Sequence, residues 1–101
     1  MTTLKLDAYV VDVLMRDLTG HDRKPSAFLV YLYLWGKSLG AGERSARASH
    51  QALAEGTGLS KSAVQGAMRV LVRRKLVRVR RDSATAVPEY FPRRPWRRHA
   101  G

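Results

Sequence analysis

The sequence predicts a single, mainly α domain that closes with a small β-hairpin. Apolar residues recur at helical spacing as far as residue 74, and after Lys75 the period changes to two. At 101 residues, 45% of them apolar, the chain is long enough for one core and too short for two. The expected organisation is one domain over 1–101. It has a helical N-terminal part at 7–38, a helix pair at 49–74, a hairpin at 76–91 and a basic tail at 92–101.

Residues 8–18 read as an amphipathic helix. Asp7 is placed to N-cap it, and Leu6 and Val11 fall at the two positions of a hydrophobic staple. Val10, Val13, Leu14 and Leu18 share one face, with Asp12 and Arg16 opposite. The next segment, 27–35, is an unbroken apolar run that periodicity alone leaves open between strand and buried helix. Helix is favoured because Pro25-Ser26 suits a first turn and Gly36 or Gly40 a stop. A helix apolar all round is central or meets a partner chain, so helices 8–18 and 26–38 are the expected interface of a homodimer.

Residues 39–45 form a Gly-rich loop, and Ala46-Arg47-Ala48 a short strand. Ser49 caps a helix over 50–55, Gly56-Thr57-Gly58 makes a tight turn, and Ser60 caps a helix from Lys61 to about Arg74. Residues 76–80 and 86–90 read as strands joined by a turn at 82–85, with Val77 and Val79 facing the core. Pro88 would confine the second strand to an edge. Trp96 is expected to pack back on this hairpin.

The chain carries 19 Lys and Arg against 8 Asp and Glu, a formal charge of +11. The excess is one-sided: seven cations face six carboxylates through residue 59, and twelve face two from residue 60 onward. Such a field destabilises a compact chain and suits a polyanion, with nucleic acid first and an acidic membrane surface second. Cysteine is absent, which excludes disulfides and thiolate chemistry. No apolar run reaches bilayer length and no leader-like segment opens the chain, so a cytoplasmic protein without membrane contact is expected.

Catalysis is not expected, nor is any metal or cofactor. Asp7, Asp12, Asp17 and Asp22 recur every five residues, a rotation of about 140° per step on an α-helix, so their carboxylates would not converge. His21, His50 and His99 lack metal-ligand spacing, and neither a phosphate loop nor a nucleophile elbow is present.

The informative stretch is 49–74. Ala54 is small where two steeply crossing helices would touch, and Gly58, four positions later, accepts the positive φ of a sharp turn. Leu53, Leu59, Val64, Met68 and Leu71 can then close a small core. In these residues, and in Ser60 at the second cap, the segment resembles a helix-turn-helix DNA-binding unit. With the basic hairpin behind it, the stretch 46–91 is similar to the winged helix-turn-helix domains of MarR-type and GntR-type bacterial transcriptional regulators. Residues 8–38 match only in being helical.

The resemblance implies about four helices, a short strand and a two-stranded wing. It also implies sequence-specific binding of double-stranded DNA in transcription regulation, in association with the nucleoid. The 60–74 helix would lie in the major groove and the wing on adjacent backbone or minor groove. With Val64 inward, the outward positions are Ser62, Gln65, Gly66, Arg69 and Arg73. Lys61, Ser62, Gln65 and Arg69 are the expected base contacts, because amide and guanidinium groups pair with purine edges. Ser49, Thr57, Ser60, Arg73, Arg80, Arg81 and Ser83 are the expected backbone contacts. Gly66 would let the duplex approach closely. The alternatives are a plasmid or phage replication, partition or excision factor, a nucleoid architectural protein, or a winged-helix module that binds protein or RNA.

Overall fold

Pro25 sets the first turn of the central helix, α1 (Pro25–Gly36), in a computed structural model that describes residues 2–97. The last residues of the tail, including Arg98 and His99, lie outside the described residues. Ala27, Phe28, Val30, Tyr31, Leu34 and Trp35 of α1 are buried, and the N-terminal helical segment, α2 (His50–Thr57) and α3 (Lys61–Arg73) all pack around it. A nine-residue apolar run can therefore be helical here, because neighbours cover most of its circumference. Leu29 and Leu32 stay exposed on the remaining side. The chain is mainly helical, with one three-stranded antiparallel sheet. Among the described residues no helix is long and apolar enough to cross a membrane.

Residues 8–21 are helical and bury Val10, Leu14 and Leu18 as their spacing predicts. The winding differs from expectation. Val10–Leu14 and Asp17–His21 are π-type turns, in which the Asp22 N–H reaches the Asp17 carbonyl at 2.8 Å. Asp7 does not cap this segment with its side chain. The Val10 N–H bonds the Asp7 carbonyl instead, at 3.0 Å, and the carboxylate turns to the far end of the chain. Leu6 and Val11 are both exposed, so the expected staple is not formed.

At Asp7 the carboxylate accepts from Trp96 Nε1 at 3.0 Å and from Arg97 Nε and Nη2 at 2.9 and 2.6 Å. Trp96 stacks on Tyr9 with ring centroids 4.5 Å apart and lies 6.3 Å from Trp35. It therefore packs on the helices and not on the hairpin, because Tyr9 and Trp35 offer it aromatic faces there. Tyr31 donates to the Arg93 carbonyl at 2.7 Å and fixes the start of this strap.

Both caps of the helix pair form: Ser49 Oγ accepts from Ala52 N at 3.0 Å and Ser60 Oγ from Ala63 N at 3.1 Å. α2 runs two residues beyond its expected end. Gly56 lies within it, and because a side chain there would overlap the Tyr33 ring, that glycine is a packing notch. Only Gly58 makes the turn, at φ +81°.

The strands are β1 (Ala46–Arg47), β2 (Val77–Arg80) and β3 (Glu89–Pro92), in the order β1-β3-β2. The second hairpin strand thus starts three residues later than expected and is central, with Arg47↔Glu89 on one side and Arg80↔Glu89 on the other. Pro88 does not make it an edge, because it lies before the strand and offers only its carbonyl, to Ala48 N at 3.2 Å. Pro92 is tolerated because β1 has already ended beside it. Val77 and Tyr90 are buried, whereas Val79 lies beyond the core and is 39% exposed, against the expectation that both valines face inward.

Candidate nucleic-acid interface

Helix α3 has two sharply different sides. Val64, Ala67, Met68, Val70 and Leu71 are buried, while Lys61, Ser62, Gln65, Arg69, Val72 and Arg73 form an exposed stripe at helical spacing. No carboxylate interrupts that stripe. A shallow concavity of about 510 Å³ runs along it, lined by His50, Gln65, Met68, Arg69, Val72 and Arg73. His50, the first residue of α2, closes one wall. The sequence does not single it out, since its place is set by the crossing of the two helices.

Gly66 does not belong to the open stripe. It is buried, and a Cβ there would stand 3.2 Å from Lys24 Nζ and 3.5 Å from Lys24 Cε. A side chain from the turn before α1 already occupies the space that the sequence leaves for a duplex.

The hydroxyls near the turn are committed to the fold. Ser49 and Ser60 accept from helix N–H groups as described, and Ser62 Oγ lies 3.3 Å from Ser60 Oγ. Thr57 Oγ1 donates to the Leu53 carbonyl at 2.6 Å and accepts from Leu59 N at 3.3 Å, so the side chain closes the turn and faces away from solvent anions. The remaining N–H groups at the start of α3 and the positive end of its dipole still favour an anion beside Lys61.

On the hairpin, Glu89 is a hub. It accepts from the Ser45 hydroxyl and pairs with Arg47 at 3.3 Å and Arg80 at 3.6 Å. The Ser45 hydrogen bond first, then the Arg47 and Arg80 charges, outweigh burial and hold its carboxyl below the ordinary range. Arg80 also lies 3.8 Å from Asp82, so in the free protein its charge is balanced. Arg78 stacks over the Phe91 ring at 4.4 Å. Arg81 and Ser83 are exposed in the loop between β2 and β3.

Two of the evenly spaced aspartates do converge. Asp17 Oδ2 is 3.9 Å and Asp22 Oδ2 3.5 Å from the Arg74 guanidinium, because π-winding stacks residues five apart that an α-helix would separate. Their role is to hold the end of α3. Among the described residues no group of three His, Asp or Glu side chains could hold a metal ion. No family model, curated protein or solved structure matches this chain.

Proposed function

We propose that this chain binds double-stranded DNA as a small winged helix-turn-helix protein and acts as a sequence-selective transcriptional regulator on the chromosome. One observation carries it: the outer stripe of α3 presents Lys61, Ser62, Gln65, Arg69 and Arg73 together, exposed and free of carboxylates. Supporting this are the α-β-α-α-β-β order from α1 onward, with the longer pair of strands, β2 and β3, joined by an exposed loop carrying Arg81 and Ser83. Gln65 and Arg69 address base edges, while Lys61, Arg73 and Arg81 meet phosphates. Ser49 and Ser60 contribute through the N–H groups of the helix N-termini they cap more than through their occupied hydroxyls.

A homodimer belongs to the same proposal. Val11 and Met15 on the first segment and Leu29 and Leu32 on α1 are exposed apolar side chains within 8–18 and 26–38. Two copies would address half-sites about 34 Å apart or a multiple of that spacing. Sedimentation of the wild type beside Leu29→Glu tests it, and a monomeric wild type removes it. The DNA assignment is tested by selecting bound sites from a random duplex pool. Enrichment of one motif is the expected result; equal retention of all sequences would leave an architectural role, and no retention would end the proposal.

A further inference from the structure

We propose that Lys24 is a phosphate-binding residue of the duplex interface, delivered onto the flank of α3 through the notch at Gly66. This rests on the DNA-binding reading and adds a residue that lies far from the helix pair in sequence.

Four observations converge on it. Lys24 Nζ and Arg69 Nη2 stand 3.2 and 3.7 Å from the point where a Gly66 Cβ would be, so an ammonium and a guanidinium flank one glycine. Neither cation has a carboxylate within 4 Å among the described residues, although Asp17 and Asp22 lie in the same part of the fold, paired with Arg74. Two like charges on the flanks of one glycine repel, and an anion between them relieves that repulsion.

Lys24 is also held in place. Arg23 turns the chain at φ +53°, the Lys24 N–H bonds the Leu18 carbonyl at 2.7 Å, and the Lys24 carbonyl accepts from Ala27 N at 3.0 Å. Pro25 restricts its backbone further. The Asp22–Arg74 pair ties the same turn to the end of α3. A long, entropy-rich side chain on a fixed backbone is thereby laid half-buried against a helix.

Finally, Gly66 weakens the interior of α3 relative to alanine. The space it leaves is filled by the end of a lysine and not by an apolar group, which packing alone would favour. Lys24 is a compact point charge suited to a phosphodiester oxygen. Gripping the backbone on this flank leaves the Arg69 fork for the neighbouring base.

The test uses fluorescence anisotropy with a random-sequence duplex over a range of salt concentrations. Lys24→Met keeps the apolar stem and removes the charge. It should lower the salt slope by about one and the affinity about fivefold to tenfold at moderate salt. Gly66→Ala asks the end of Lys24 to give by only a few tenths of an ångström, so it should weaken binding only slightly in the wild-type background and should add nothing to Lys24→Met. Thermal melting of each variant checks the fold, and Lys24→Met decides alone if Gly66→Ala does not fold. An unchanged slope for Lys24→Met overturns the phosphate role. An equal loss from Gly66→Ala in both backgrounds overturns the notch, because the glycine would then serve the duplex directly. A wild type that binds no duplex overturns the underlying function, and shows itself before any variant is made.

Discussion

Arg80 and Glu89 face each other across β2 and β3, register partners whose guanidinium and carboxylate lie 3.6 Å apart. Arg80, at the end of β2, is thus already engaged in the free protein. To reach a phosphate it must leave Glu89 and Asp82, whereas Arg81, one residue further on, has only a 3.4 Å bond to the Ala84 carbonyl to give up. Arg80→Ala should therefore cost less duplex affinity than Arg81→Ala. Glu89→Gln should raise affinity for random duplex severalfold at low salt by freeing Arg80 and Arg47. Titration of the three variants against one duplex checks this, and equal losses for both arginines would refute the ordering.

On α3 the expected signature is different. Arg69→Ala should cost roughly 1–3 kcal/mol on the selected site and relax preference at one base pair. Arg81→Ala should weaken all sequences alike and reduce the salt slope by about one. Binding of both variants to selected and random duplexes separates the two roles.

Asp7 gives a pH prediction. Burial opposes its ionisation, but hydrogen bonds from Arg97 and Trp96 and the charges of Arg97 and Arg94 hold the carboxyl below its ordinary value of 3.8. A lowered value in the folded state means that the carboxylate's contribution is whole above the ordinary value. It is lost as pH falls through the lowered one. Unfolding of wild type and Asp7→Asn should accordingly differ near neutrality and converge in acid below 3.8. A gap that persists there would show that the Asp7 side chain contributes without its charge, and no gap at any pH would show that stacking alone holds the strap.

Backbone geometry supplies an opposed pair of substitutions. Lys75, just past α3, sits at φ +58°, while Leu76 N bonds the Leu71 carbonyl at 2.9 Å. Glycine is the residue this position favours, so Lys75→Gly should gain up to about 1 kcal/mol. Gly58→Ala should lose about 1–2 kcal/mol, since φ +81° strains any Cβ. Denaturant midpoints at matched m-values measure both.

The parts of the fold written in local signals were legible. Ser49, Gly58 and Ser60 mark the helix pair, Pro25 starts α1, and the period change near Lys75 marks the hairpin. The α3 stripe also followed from its wheel, because Val64 and Leu71 fix which side is inward. What escaped depends on groups distant in the chain. Nothing near Asp7 reveals that Trp96 and Arg97 would claim its carboxylate, and nothing near Gly66 names Lys24. The π-winding of 8–21 escaped because an apolar pattern read at α-spacing fits both windings, and with it went the convergence of Asp17 and Asp22. β3 was misplaced because Pro88 was weighed as a strand residue, while the strand begins just after it.

The stack of Trp96 on Tyr9 bears on how the molecule comes to completion. The helices and sheet involve segments that emerge earlier in synthesis, but the aromatic seal waits for almost the last residues described. A chain halted at Pro92 would hold its scaffold while leaving the rings of Tyr9 and Trp35 bare. Such a nascent species would be a ready client for chaperones and proteases until Trp96 docks.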